Sequence, residues 1–143
     1  QNGSNGSAGL RRIAPCTPTL ATAGDCLEKK RYRDCINRSY YAAFYAIKAV
    51  LALEEKDFNR HKDAVAYFNH YYVAEGVFSG KLGKYLGRLK QKREVSDYDD
   101  FYVASYEETI EQFQYAEKII AEIKNMFPIY TGNISVCHIQ HGV

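Results

Sequence analysis

The chain has no tryptophan, a single methionine and only three prolines. Two of these, Pro15 and Pro18, argue against a continuous helix from Leu10, because a proline inside a helix lacks the backbone donor and clashes with the preceding turn. The third, Pro128, ends the last helical pattern. No stretch alternates apolar and polar residues well enough for a sheet, apart from the short tail 133–139, which is read as irregular. The four cysteines, Cys16, Cys26, Cys35 and Cys137, form no Cys-x-x-Cys pair and no zinc-like spacing. They indicate neither a disulfide framework nor a metal site, and free thiols fit a reducing cytoplasm. Cys137, His138 and His141 in the tail have neither a second pair nor a fixed scaffold, so no metal and no cofactor is expected there. No basic-then-apolar leader and no apolar run long enough to span a bilayer is present, and the expectation is a cytoplasmic chain without membrane contact.

Tyrosine, in contrast, occurs 13 times in 143 residues. Such rings pack while keeping a polar tip, which suits interfaces and nucleobases, although most are read as the edge of a core. The net charge of +2 conceals a segregation. From Arg60 to Arg93 eight cations face only Asp63 and Glu75, whereas from Glu94 to Glu122 nine acids face Lys118 alone. One basic face could hold phosphates, and the acidic segment could face solvent or a basic partner.

Hydrophobic spacing divides the chain into an irregular segment 1–18, a helical bundle 19–127 and an irregular tail 128–143. A first helix is expected from about Thr19, and a second from about Tyr32 to Glu54. A third, capped by Asp57 or Asn59, carries the stripe His61, Val65, Phe68 and Tyr72 and ends near Gly76. Ser79 or Gly80 opens a fourth with Leu82, Leu86 and Leu89 inward, and its glycines Gly80, Gly83 and Gly87 could let a neighbouring backbone approach. Residues 96–100 read as a loop, and a last helix, about Val103 to Met126, presents Tyr106, Ile110, Phe113, Ile120 and Ile123, with Phe127 just beyond its end. The fold class is therefore all-α, an antiparallel up-and-down bundle of four to five helices.

The most informative stretch is Asp34–Leu53. At about 100° per residue, Ile36, Tyr40, Ala43, Ile47 and Val50 share one stripe, while Asn37 and Arg38 interrupt the aromatic pattern beside it. Arg38 and Tyr45 are seven residues apart, so they share a face about 10 Å apart, along a strip that Asn37 and Tyr41 also reach. The run Asn-Arg-Ser-Tyr-Tyr-Ala-Ala-Phe, followed by Arg60-His-Lys and by Arg93-Glu-Val-Ser-Asp-Tyr98, resembles the HEPN domains, in particular their small stand-alone members, from about Cys26 to Phe127. The resemblance implies an all-α bundle, usually a homodimer, often encoded beside a minimal nucleotidyltransferase. Many such domains are metal-independent ribonucleases built on an Arg, a spacer of four to six residues and a His. Arg38 is present here, but the His position falls on Ala43 or Tyr45 according to the spacer.

Cleavage of RNA through its 2′-hydroxyl needs a base for that proton, a cation for the phosphorus charge and an acid for the leaving oxygen. Arg38 suits the second role, because guanidinium grips phosphate in a bidentate fork. A phenol is a poor base near neutral pH, so a displaced histidine would have to substitute: His61 at the start of the third helix, or His70 nine residues on, a quarter-turn from the same face. Arg93 and Asp97 are either a phosphate clamp or a tether between helices. Tyr45 also falls at the tyrosine of an Arg-x4-His-x-Tyr arrangement that, in some HEPN toxins, is adenylylated by the partner enzyme. Three readings follow. In the first, the chain is a dimeric module that binds RNA or a nucleotide through Asn37, Arg38, Tyr41, Tyr45, Lys84, Arg88, Lys92, Arg93 and Asp97, with little nuclease activity. In the second it is a ribonuclease toxin with catalytic Arg38, Tyr45 and His61. In the third it is a structural docking partner of the nucleotidyltransferase.

Overall fold

The computed structural model describes residues 16–127. They form helix α1 over 16–28, α2 over Tyr32–Leu53, α3 over His61–Phe68, α4 over Gly80–Tyr98 and α5 over Tyr106–Met126. A π-helical turn, Asn69–Val73, prolongs α3, and no strand occurs among the described residues. Side-chain pairs establish the directions. Asn37 meets Asp97 and Tyr41 meets Arg93, so α2 and α4 run antiparallel. Lys92 meets Glu108 while Arg88 meets Tyr115, which makes α4 and α5 antiparallel. Thr17 meets Lys124 and Gly24 faces Phe113, which does the same for α1 and α5. The all-α bundle read from the sequence is the observed architecture, and the expectations for 1–15 and 128–143 lie outside the described residues.

Helix α2 is the centre of the bundle. Ile36, Tyr40, Ala43, Ile47 and Val50 are all buried, together with Phe44 and Leu51, as their spacing requires. Ala42, Ala46 and Ala49 are buried as well, so α2 is covered around most of its circumference by α3, α4 and α5. Leu82, Leu86 and Leu89 of α4 and Ile119 and Ile123 of α5 complete the core. Each such aliphatic side chain contributes about 1.5–3 kcal/mol on leaving water. Two helices end on a left-handed residue other than glycine. Lys30 at φ 61° and Glu55 at φ 60° take the left-handed conformation. There Arg31 N bonds Cys26 O at 2.8 Å and Lys56 N bonds Leu51 O at 2.9 Å, closing the last turns of α1 and α2.

Several boundaries differ from the sequence reading. Helix α1 already includes Cys16–Pro18 rather than starting at Thr19, and Thr22 Oγ1 donates to the Pro18 carbonyl at 3.0 Å. Neither Asp57 nor Asn59 caps α3: the N-cap is Arg60 without a side-chain bond, and Asp57 instead pairs with Lys48 at 2.5 Å. The stretch read as a loop from Ser96 belongs to α4 up to Tyr98. An Arg93–Asp97 bridge at 3.2 Å and an Arg33 guanidinium donating to the Ser96 carbonyl hold that last turn. Helix α5 begins at Tyr106, where Ser105 and Glu108 form a reciprocal capping box. The stripe expected on α5 is rotated in its first half: Tyr106 is 47% exposed, whereas Thr109, Gln112 and Ala116 are buried. Phe113 turns instead to Gly24 of α1, where an added Cβ would lie 3.5 Å from the ring. Among the glycines of α4 only Gly83 meets a neighbour, and that is a side chain rather than a backbone: a Cβ added there would lie 3.1 Å from Val73 Cγ1.

Candidate nucleic-acid interface

Helices α2 and α4 cross with Arg93 between them. Its guanidinium carbon lies 4.9 Å from the centre of the Tyr40 ring and 5.5 Å from that of Tyr41, within cation–π range of both. Nη1 donates to Tyr41 Oη at 3.4 Å and to Asp97 Oδ2 at 3.2 Å, and Asn37 Nδ2 donates to the same carboxylate oxygen at 3.4 Å. Arg93 Nε is buried and has no acceptor among the described residues. Asn37, Tyr41, Arg93 and Asp97, four of the residues singled out in the sequence, thus form one bonded group. They come together because α2 and α4 are antiparallel and both strips of polar side chains border the same seam.

His61 stands at the start of α3 against this group. Its ring centroid lies 4.1 Å from that of Phe44 and 5.9 Å from that of Tyr41, the latter edge-on. The residue remains exposed at its outer side. Partial burial of the ring, with Arg93 and Lys48 next in importance, lowers its pKa from the ordinary value, so the imidazole is neutral near neutral pH. A neutral imidazole can accept a proton, as a general base must.

Arg38 and Tyr45 project from the same side of α2. Arg38 is exposed, lines a recess of about 210 Å³ with Pro18, Thr19 and Thr22 of α1, and has no acceptor among the described residues. Tyr45 is half-buried, and its ring centroid lies 6.0 Å from that of Tyr41 and 6.5 Å from that of Phe44. Arg38 therefore sits at the α1 border of the strip and Arg93 at the α4 border, with the tyrosines between.

Lys84, Arg88 and Lys92 lie elsewhere. Counted around α4 at about 100° per residue, they turn roughly 100° or more from Arg93. Arg88 Nη1 donates to Tyr115 Oη at 3.0 Å, and Lys92 Nζ pairs with Glu108 at 3.3 Å and lies 5.7 Å from the Tyr102 ring centre. Both face α5. The basic run of the sequence is thus split between two faces, because consecutive helical residues point in different directions. The sequence reading also missed Lys48, whose ammonium lies 6.0 Å from the Phe44 ring centre and acts on His61. Its position four residues after Phe44 was the available signal.

Among the described residues no three His, Cys, Asp or Glu side chains gather as a metal site would need, and no helix is long and apolar enough to cross a membrane. Comparison with known proteins gives the geometry its family. The model of the HEPN domain matches residues 17–126. A UPF0332 protein of Thermotoga maritima is 29% identical over 81% of this chain and 86% of its own length. A candidate toxin of Methanocaldococcus jannaschii is 32% identical over 55% of the chain, and a UPF0332 protein of Pyrococcus horikoshii 36% identical over 54%. The matches to these two archaeal proteins span 59% and 54% of their lengths. With the family model covering most of its length and its helices meeting around Arg38, Tyr41 and Arg93, the chain belongs to the HEPN domain family.

Proposed function

We propose that this HEPN domain binds RNA, or a nucleotide, through the strip that runs from Arg38 to Arg93 across α2. The convergence of Arg93, Tyr41 and His61 carries this reading: α4 brings a guanidinium to 5.5 Å from the Tyr41 ring centre, and α3 brings an imidazole whose pKa is lowered to 5.9 Å from the same ring. Guanidinium groups recognise phosphate and tyrosine faces stack on bases, so the strip suits a sugar–phosphate chain. Asn37 and Asp97 hold Arg93 in place. Lys84, Arg88 and Lys92 form a separate cationic face that adds long-range attraction to phosphate.

The test is fluorescence anisotropy with a labelled single-stranded RNA. Affinity falls as salt rises, because counterions are released from the phosphates, and Arg38→Ala weakens binding about tenfold without unfolding the chain. A native chain without affinity, or an Arg38→Ala variant that binds as well as the native one, overturns the reading.

A second reading, a metal-independent ribonuclease toxin, is favoured by the neutral state of His61 beside Arg93. His61 would take the 2′-hydroxyl proton while Arg38 or Arg93 stabilises the charge at phosphorus. Cleavage by the native chain that is lost on His61→Ala supports it. The names of two relatives from Methanocaldococcus jannaschii, both candidate toxins, support a toxin setting for this reading. A minimal nucleotidyltransferase as partner and a homodimer as active form are what the resemblance to the HEPN domains implies.

A further inference from the structure

One end of the bundle exposes apolar side chains that the core does not use. Among the described residues, five of the eight large apolar side chains left exposed, Val95, Tyr98, Phe101, Val103 and Tyr106, belong to the end of α4, the start of α5 and the loop between them. Phe101 is 93% exposed, Val103 85% and Tyr98 77%. The loop is nonetheless fixed. Asp99 N bonds Val95 O at 3.0 Å, Phe101 N donates to Asp99 Oδ1 at 3.0 Å, and the Tyr102 hydroxyl donates to Glu108 at 2.9 Å. With Tyr102 tied to α5, its neighbours Phe101 and Val103 are held out in water, and an exposed apolar patch of this kind marks an interaction site.

The charges around the patch are divided. From Glu94 to Glu108 the chain carries six acids and no cation. The turn from α1 into α2 carries Lys29, Lys30, Arg31 and Arg33, all exposed, against Glu28 and Asp34. Two contacts place this turn next to the loop: the Arg33 guanidinium donates to the Ser96 carbonyl, and the Tyr32 ring meets that of Tyr106 edge-on at 6.0 Å. The helix directions require it, since α1 and α4 both end here and α2 and α5 both begin here.

We propose that this end is where a second copy of the chain docks, related by a two-fold axis that passes between the turn and the loop. Such an axis lays each copy's cationic turn on the other's acidic loop and covers Phe101 and Val103. The end is self-complementary in charge, which argues for a second copy over other occupants. Nucleic acid and anionic lipid are repelled by the six acids, and a contact of loop on loop opposes like charges. The proposal does not depend on RNA binding; it assigns a surface to the homodimer that the family resemblance implies.

The experiment follows the mass of the full chain by light scattering and sedimentation at roughly 1–100 µM, the range in which modest interfaces assemble. The native chain dimerises, and Phe101→Ser weakens the dimer about tenfold or more, as loss of an aromatic anchor does. Circular dichroism verifies that the variant stays helical, as the exposure of this ring requires. Two charge-reversed chains test the pairing. One carries Asp100→Lys and Glu107→Lys, at exposed carboxylates that hold no bond among the described residues, and the other carries Lys29→Glu and Lys30→Glu. Each alone is monomeric, because like charges meet at both turn–loop contacts, and an equimolar mixture dimerises, because opposite charges then meet at both. A native chain that stays monomeric overturns the proposal and leaves the RNA reading to its own binding assay. A native dimer unaffected by Phe101→Ser overturns it by placing the homodimer on another face. A mixture no more associated than its components overturns it by showing that turn and loop do not meet, which leaves the patch to a different protein.

Discussion

The guanidinium of Arg93 lies 4.9 Å from the centre of the buried Tyr40 ring, with its Nε enclosed and its Nη1 shared between Tyr41 and Asp97. One side chain thereby joins the core of α2 to the strip on its surface. It braces the α2–α4 crossing and supplies a fixed cation to the candidate site, so its replacement is expected to affect both stability and binding.

Arg93→Ala is expected to lower stability by about 1–3 kcal/mol, through lost cation–π contact and through polar partners left unmatched. Arg93→Lys recovers only part of this, because an ammonium cannot lie flat on a ring while bonding two acceptors. Urea unfolding measures the difference. A loss below about 0.5 kcal/mol, the scatter of ordinary surface substitutions, would show that the contact is incidental.

His61 gives the fold a pH dependence. Its folded pKa is lowered by burial of the ring and by Arg93 and Lys48, so below the ordinary histidine pKa the unfolded chain binds more protons than the folded one. The associated stability is present above that pKa and is lost as pH falls through the folded value. Thermal unfolding from pH 8 to pH 5 should show the decline, and His61→Gln should flatten it. An equal slope in the variant would assign the effect to other groups.

Ser105→Ala should cost about 1 kcal/mol. Ser105 Oγ accepts from Glu108 N at 3.1 Å, and Glu108 Oε2 accepts from Ser105 N at 3.3 Å and from the Tyr102 hydroxyl at 2.9 Å. The bond from the Ser105 backbone, then that from Tyr102, holds the Glu108 carboxyl below its ordinary pKa. The stability of this corner is accordingly present above the ordinary carboxylate range and fades as pH drops through the lowered value. Hydrogen exchange in the first turn of α5 should accelerate in the variant; protection like that of the native chain would mean that the cap is dispensable.

Tyr45→His should raise RNA cleavage by on the order of a hundredfold if the native strip binds RNA without an effective base. Arg38→Ala should then remove the regained activity. Brisk cleavage by the native chain, abolished by His61→Ala, would instead identify His61 as the base already in use.

Much of the site was legible along a single helix. Asn37, Arg38, Tyr41 and Tyr45 share a strip because helical periodicity is a local rule, and the structure keeps them there. The grouping of Asn37 and Tyr41 with Arg93 and Asp97 was legible only as a resemblance between separated segments. Lys48 escaped notice because its importance comes from the fold placing it beside His61. Lys84, Arg88 and Lys92 were joined to Arg93 by proximity in sequence, and α4 turns them away.

By itself the sequence determined the all-α class, the central helix Tyr32–Leu53 with its buried stripe, and the inward leucines of α4, since each follows from residue spacing and burial of apolar area. Only the tertiary structure decided the phase of α5, the continuation of α4 through Ser96 to Tyr98 and the π turn at Asn69–Val73. Those features depend on partners distant in sequence: Phe113 turns to Gly24, Arg33 and Arg93 hold the end of α4, and Val73 packs beside Gly83. A local pattern specifies which face is apolar. Which neighbour covers that face, and how far a helix runs to meet it, is settled when the helices pack.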